Sequence, residues 1–76
     1  MNQSLREILV TGLTLDPQKL RPDVHLEEAG LDSLAIAELG LLLHERTGVA
    51  IGEDVLSSAV TLGALDQLVE ERLAGR

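Results

Sequence analysis

Apolar positions along this chain recur at three- and four-residue intervals in several stretches, and the breaks between them fall at Gly and Pro. Leu5, Ile8, Leu9 and Gly12 share one face at helical spacing. Ser4-Leu5-Arg6-Glu7 has the form of a capping box, and together these predict a first helix over residues 3–13. Asp16-Pro17 and Arg21-Pro22 bias the residue before each proline away from helix, so Thr14 to Leu31 reads as a long loop. A structureless loop of that length needs anchors, and Leu15, Leu20, Val24, Leu26 and Leu31 are available to pin it to a core. Gly30 supplies a backbone turn just before the next helix.

The second helix begins at Asp32 or Ser33 and runs to about Thr47, with Gly48 as its stop and Arg46 well placed in the last turn. Ile36, Leu39, Gly40, Leu43 and Thr47 fall within about 100° of arc, the width of a core-facing stripe. On the opposite face Leu34, Glu38, Leu41 and Glu45 alternate apolar and acidic side chains. An exposed ladder of this kind suits a docking strip, where apolar anchors sit within a polar rim; the plainer alternative is that the long loop covers one or both leucines. Glu53 to Ser58 predicts a short third helix opened by Glu53 and Asp54, and Thr61 caps a fourth that runs to about Leu73. Leu62, Leu65, Val69 and Leu73 form the inner face of that helix while Gln67, Glu70 and Glu71 point outward. The pattern is all-α: a small antiparallel four-helix bundle with a long loop between helices one and two and a short third helix.

Size and composition sharpen this reading. The 76 residues make one domain, 1–76, with a core that must be aliphatic, since hydrophobic residues make up 45% of the chain and Phe, Tyr and Trp are absent. There is no cysteine, which removes disulfides and thiolate metal sites, and no run of apolar residues long enough to span a bilayer. Met1-Asn2-Gln3-Ser4 lacks the basic leader of a secretory signal, so a cytoplasmic protein is expected. Charge is unevenly placed. From Asp23 to Asp54 there are eight acids against the single base Arg46, giving −7, whereas the five acids and five bases outside that stretch cancel. Such a field repels nucleic acid and anionic membrane and attracts basic partner proteins.

The chemistry available to the chain itself is slight. Activating Ser33 as a nucleophile requires a base within hydrogen-bond reach that a third group orients. His44 lies eleven residues further along the same helix, on the order of 16 Å away, and His25 sits in the loop. A bundle this small also offers no obvious pocket to exclude water. The two histidines and scattered carboxylates lack the H-E-x-x-H spacing of a zinc site and the twelve-residue calcium loop. Both histidines are expected in solvent. The simplest role for Asp32-Ser33 is helix capping, which either side chain can perform.

Gly30-Leu31-Asp32-Ser33-Leu34 at the head of helix two nevertheless resembles the acyl carrier proteins of fatty acid and polyketide synthesis. Leu26-Glu27-Glu28-Ala29 precedes it and Glu45-Arg46-Thr47-Gly48-Val49-Ala50-Ile51 follows, so the similarity covers nearly the whole chain. The resemblance implies that Ser33 receives a 4′-phosphopantetheine arm from coenzyme A through a magnesium-dependent phosphopantetheinyl transferase, with Asp32 supporting the modification. It implies a carrier rather than an enzyme. A thioester on the arm's thiol would let a protein without cysteine hold acyl cargo. The implied partners are that transferase, a ketosynthase, an acyltransferase or acyl-activating ligase, and tailoring enzymes with basic docking patches, all met by a monomeric carrier. Leu34, Glu38, Leu41, Glu45, Glu53 and Asp54 are the expected partner-binding residues.

This chain departs from the family pattern in carrying only Glu38 and Glu45 as acids on helix two, in having Gly52 where many relatives have Pro, and in lacking aromatics. Gly40 on the inner face of helix two either leaves space for an acyl chain or permits close helix packing. Gly30-Leu31-Asp32-Ser33-Leu34 and Thr47-Gly48-Val49 are more similar to bacterial polyketide carriers than to fatty acid carriers. Met1 at the start and the absence of linkers point to a free-standing shuttle. Two alternatives stay open: a peptidyl or aminoacyl carrier of a nonribosomal pathway, and an unmodified acidic helical adaptor.

Overall fold

A helix leaves its first backbone N–H groups without intrahelical acceptors, and how this chain satisfies them determines its architecture. The computed structural model, which describes residues 1–75, contains α1 (Gln3–Glu7), α2 (Ser33–Thr47), α3 (Glu53–Ser57) and α4 (Leu62–Ala74), with no strand among the described residues. The expected all-α class holds. Asp32 caps α2 by accepting from the Ala35 amide at 2.9 Å, and Thr61 caps α4 by accepting from Ala64 at 3.2 Å. Gly48, at φ 77°, closes α2 in the left-handed conformation expected of a glycine stop, its N–H donating to the His44 carbonyl.

The first helix starts at Gln3 as expected, but its cap and its C-terminal half differ from the sequence reading. Its cap is Asn2, whose Oδ1 accepts from the Leu5 amide at 3.1 Å, and the capping box read from Ser4 and Glu7 is not formed. Tertiary bonds decide this: the Asn2 backbone N–H donates to Asp66 at 2.8 Å and its side-chain amide donates to Glu70 at 3.0 Å, so α4 fixes where α1 starts. Beyond Glu7 the chain winds as a wider π-type turn over Ile8–Gly12, with the Leu13 N–H donating to Ile8 O at 2.9 Å. Ile8 and Leu9 are fully buried on this turn, and Leu13 packs against the same core.

The long loop lies on the core as a structural layer. Leu20, Leu26, Ala29 and Leu31 are buried in it, and Leu15 and Val24 pack partly buried against it, so the five anchors read from the sequence all serve. Its backbone is also fastened. The first two amides of α4 donate to loop carbonyls, Leu62 N–H to Val24 O at 2.9 Å and Gly63 N–H to Pro22 O at 2.9 Å, while Leu26 N–H donates to Val60 O at 3.2 Å. These bonds flank an antiparallel bridge between His25 and Thr61. A tight turn then runs from Leu26 to Leu31, closed by Leu31 N–H donating to Leu26 O at 2.9 Å and by Gly30 at φ 96°. It delivers the chain to Asp32.

Ile36, Leu39 and Leu43 of α2, Leu56 of α3, and Leu62, Leu65 and Val69 of α4 complete the core, as their spacing predicts. No polar or charged side chain is buried among the described residues. Gly40 permits close packing: a Cβ there would stand 3.3 Å from Ile51 O and 3.4 Å from Leu56 Cδ1.

Gly63 is the sharpest test of the loop clamp. In an open helix position Gly→Ala gains about 1 kcal/mol of stability. Here the new Cβ would meet Pro22 O at 3.1 Å and Pro22 Cβ at 3.2 Å. Gly63→Ala is therefore expected to lower the unfolding free energy by about 1 kcal/mol in urea denaturation, reversing the usual sign.

Candidate functional site

Because the Asp32 carboxylate occupies the cap, Ser33 becomes the first residue of α2 with its hydroxyl uncommitted. Of the two capping options left open by the sequence, the structure takes Asp32. The chain has four serines. Ser57 donates its hydroxyl proton to Asp54 O at 3.3 Å, Ser58 donates to Val55 O, and Ser4 is half-buried in α1. Ser33 is exposed and has no hydrogen-bond partner among the described residues. Nor do the backbone amides of Ser33 and Leu34 have a protein acceptor there, so an anion joined to this hydroxyl meets unpaired donors and the positive end of the helix dipole.

Beside Ser33 runs an open groove of about 740 Å³. Its walls are the 25–33 segment, including His25, Leu26, Glu27, Leu31 and Asp32, together with Ile36 of α2, and Ser57, Ala59 and Val60 across from them. The expectation of no obvious pocket is thus corrected: the fastened loop, the start of α2 and the α3–α4 connection line it together. The groove is open to solvent and does not exclude water. His25 shares it with Ser33, yet no base is hydrogen-bonded to the Ser33 hydroxyl among the described residues, so the triad logic of an activated nucleophile has no geometric support. Both histidines are exposed, as expected. Among the described residues no three His, Cys, Asp or Glu side chains form a cluster able to hold a metal ion, and no helix is long and apolar enough to cross a membrane.

Leu34 is 77% exposed and Leu41 58%, so the loop covers neither. Glu38 and Glu45 are exposed between and beyond them, and Glu53 and Asp54 are exposed in the first turn of α3. Arg46, the single base of the acidic stretch, is bonded to Glu7 of α1 at 3.0 Å. Both partners are about half exposed, so the pair contributes at most about 1 kcal/mol, but it engages the one local counter-charge on α2. Val60, 63% exposed on the groove rim, escaped the sequence reading. It lies between α3 and the Thr61 cap, where no helical period gives it a face.

Comparison with known proteins gives concordant matches. The family model for a phosphopantetheine attachment site matches residues 3–69. Acyl carrier protein MbtL of Mycobacterium tuberculosis is 34% identical over 70 residues, covering 91% of this chain and 83% of its own. Acyl carrier protein 2 of Ralstonia nicotianae is 33% identical over 73 residues, covering 95% and 90%. Acyl carrier protein MbtL of Mycobacterium sp. is 30% identical over 74 residues, covering 96% and 83%.

The geometry separates a cap from a docking strip. Asp32→Ala removes the α2 cap and is expected to cost about 1 kcal/mol. Leu34→Ala and Leu41→Ala, which remove exposed side chains, are expected to stay within about 0.5 kcal/mol of the parent in urea titrations. A loss above about 2 kcal/mol at either leucine would show that it belongs to the core.

Proposed function

We propose, given that this chain belongs to the acyl carrier protein family, that Ser33 is its point of attachment for 4′-phosphopantetheine and that the whole of 1–76 forms one antiparallel four-helix carrier domain. The family's prosthetic group is carried covalently on a serine. When bound, it supplies a terminal thiol on which an acyl group is held as a thioester.

The observation that carries the assignment is the uncommitted, exposed Ser33 hydroxyl beside two unpaired amides, in a chain whose other serines are bonded or half-buried. Asp32 acts indirectly. By holding the first turn through Ala35 it keeps the Ser33 hydroxyl out of capping and fixes its direction on a rigid helix. The base that removes the Ser33 proton comes from the transferase, since the chain places none at the hydroxyl. Ser33 is therefore a substrate of the transferase, with coenzyme A as donor and magnesium as its cofactor. The unpaired amides suit the phosphodiester that results.

Leu34 and Leu41 serve as apolar anchors for partner enzymes, and Glu38, Glu45, Glu53 and Asp54 steer them. A carrier must meet several enzymes in turn and leave each, which favours a weak contact with electrostatically guided encounter. The partners in this reading are a phosphopantetheinyl transferase, a ketosynthase, an acyltransferase or acyl-activating ligase, and tailoring enzymes of a bacterial polyketide pathway in the cytoplasm. The cargo is an acyl rather than an aminoacyl group, in keeping with the acyl carrier proteins to which the chain is similar.

Incubation with coenzyme A, magnesium and a broad-specificity transferase is expected to add one arm by intact mass, with no gain for Ser33→Ala. An unmodified parent across several transferases, or a modified Ser33→Ala, contradicts the assignment. Glu38→Gln/Glu45→Gln is expected to slow loading by a partner enzyme about three- to thirtyfold at low salt, because each exposed charge contributes a few tenths to about 1 kcal/mol. The difference should shrink as ionic strength shortens the screening length.

A further inference from the structure

We infer that His25 positions the phosphodiester of the modified protein, an inference that rests on the reading of Ser33 as the attachment point. His25 and Ser33 line the same groove. Joining a phosphodiester to Ser33 adds a negative charge to a site whose lining already holds the carboxylates of Glu27 and Asp32. His25 is the single lining side chain able to carry a positive charge. Its backbone is fixed on the groove wall by the bridge to Thr61, by Ala29 N–H donating to His25 O at 3.1 Å, and by the adjoining Leu26–Val60 bond. The imidazole is exposed, so it can turn within the groove without breaking any buried contact.

The charges that act on His25 can be enumerated element by element. Glu27 and Asp32 share its groove from the loop and the α2 cap, and the exposed Asp23 and Glu28, with the opposite charge of Arg21, lie close along the chain. Ser33 and Ile36 of α2, Ser57 of α3, and Ala59 and Val60 of the α3–α4 connection are uncharged. A new anion at Ser33 therefore joins two lining carboxylates and meets no lining cation other than His25 that would cancel it. Attachment raises the proton affinity of His25. By linkage, the contact is present below the His25 pKa of the modified protein and is lost as pH rises through it.

The test is an NMR titration of the two histidine ring signals in the unmodified and the pantetheinylated protein. His44 is an internal reference, because it lies on the order of 16 Å along α2 from Ser33, beyond a screening length of about 8 Å. A phosphodiester that His25 holds at a contact distance of about 6 Å in a water-like medium would raise the His25 midpoint by about 0.5 pH unit; a rise of that order is expected, with His44 unmoved. The ³¹P signal of the phosphodiester is expected to titrate with the same midpoint as His25 and to be flat over that range in His25→Gln. A His25 midpoint that stays put, falls, or rises in step with His44 overturns the inference. Intact mass of the same sample reports whether the arm was attached, so a failure of attachment is distinguished from a failure of His25 to respond to it.

Discussion

The bonds between the loop and the start of α4 are the constraint on which the site depends. Val24 and Pro22 offer their carbonyls to the first two amides of α4, and Thr61 offers its hydroxyl to the third. A helix terminus that would otherwise need water is satisfied by a segment that would otherwise be a free loop. Once fastened, that segment places Leu26, Ala29 and Leu31 in the core, and the turn they anchor ends at the α2 cap. Without this clamp there would be no fixed point from which Ser33 is presented.

A core of aliphatic side chains with no polar member makes the fold chemically inert inside. Among the described residues the reactive groups are consequently at or near the surface, and the one serine hydroxyl that is both exposed and without a hydrogen-bond partner stands at a helix start flanked by acids. That arrangement suits a protein on which others act. In the proposed reading it separates two tasks that an enzyme must combine: holding the reacting group, which the tether would do, and activating it, which visiting enzymes would do. In the proposed reading the negative field over residues 23–54 serves encounter with partners, with Arg46 occupied by Glu7 and so not opposing it directly.

Much of this was legible in the sequence because local chemistry and tertiary structure agree there. Gly30, Asp32 and Gly48 bracket α2 with a turn, a cap and a left-handed stop, and the helix runs between them as read. Leu34 and Leu41 are exposed because a stripe of Ile36, Leu39 and Leu43 already fills the inner face. The cap of α1 differs from the sequence reading, although the helix starts at residue 3 as read, because Ser4-x-x-Glu7 is a valid local signal that long-range bonds from Asn2 to Asp66 and Glu70 override. The π-type turn leaves no mark on side-chain spacing within five residues. The loop clamp is made by backbone groups, which every sequence possesses, so the anchors were visible and the bonds were not. For the same reason the groove and Val60 emerge only when the loop and the α3–α4 connection are seen together.

The central claim is that Ser33, the one of the four serines that is both exposed and unbonded among the described residues, is the proposed tether point. Peptide mapping by tandem mass spectrometry of the protein isolated from its own host tests this most directly. The account predicts a phosphopantetheine-bearing peptide with the group on Ser33 and with Ser4, Ser57 and Ser58 unmodified. Finding the group on Ser57 or Ser58, or finding none in the native protein, would contradict it.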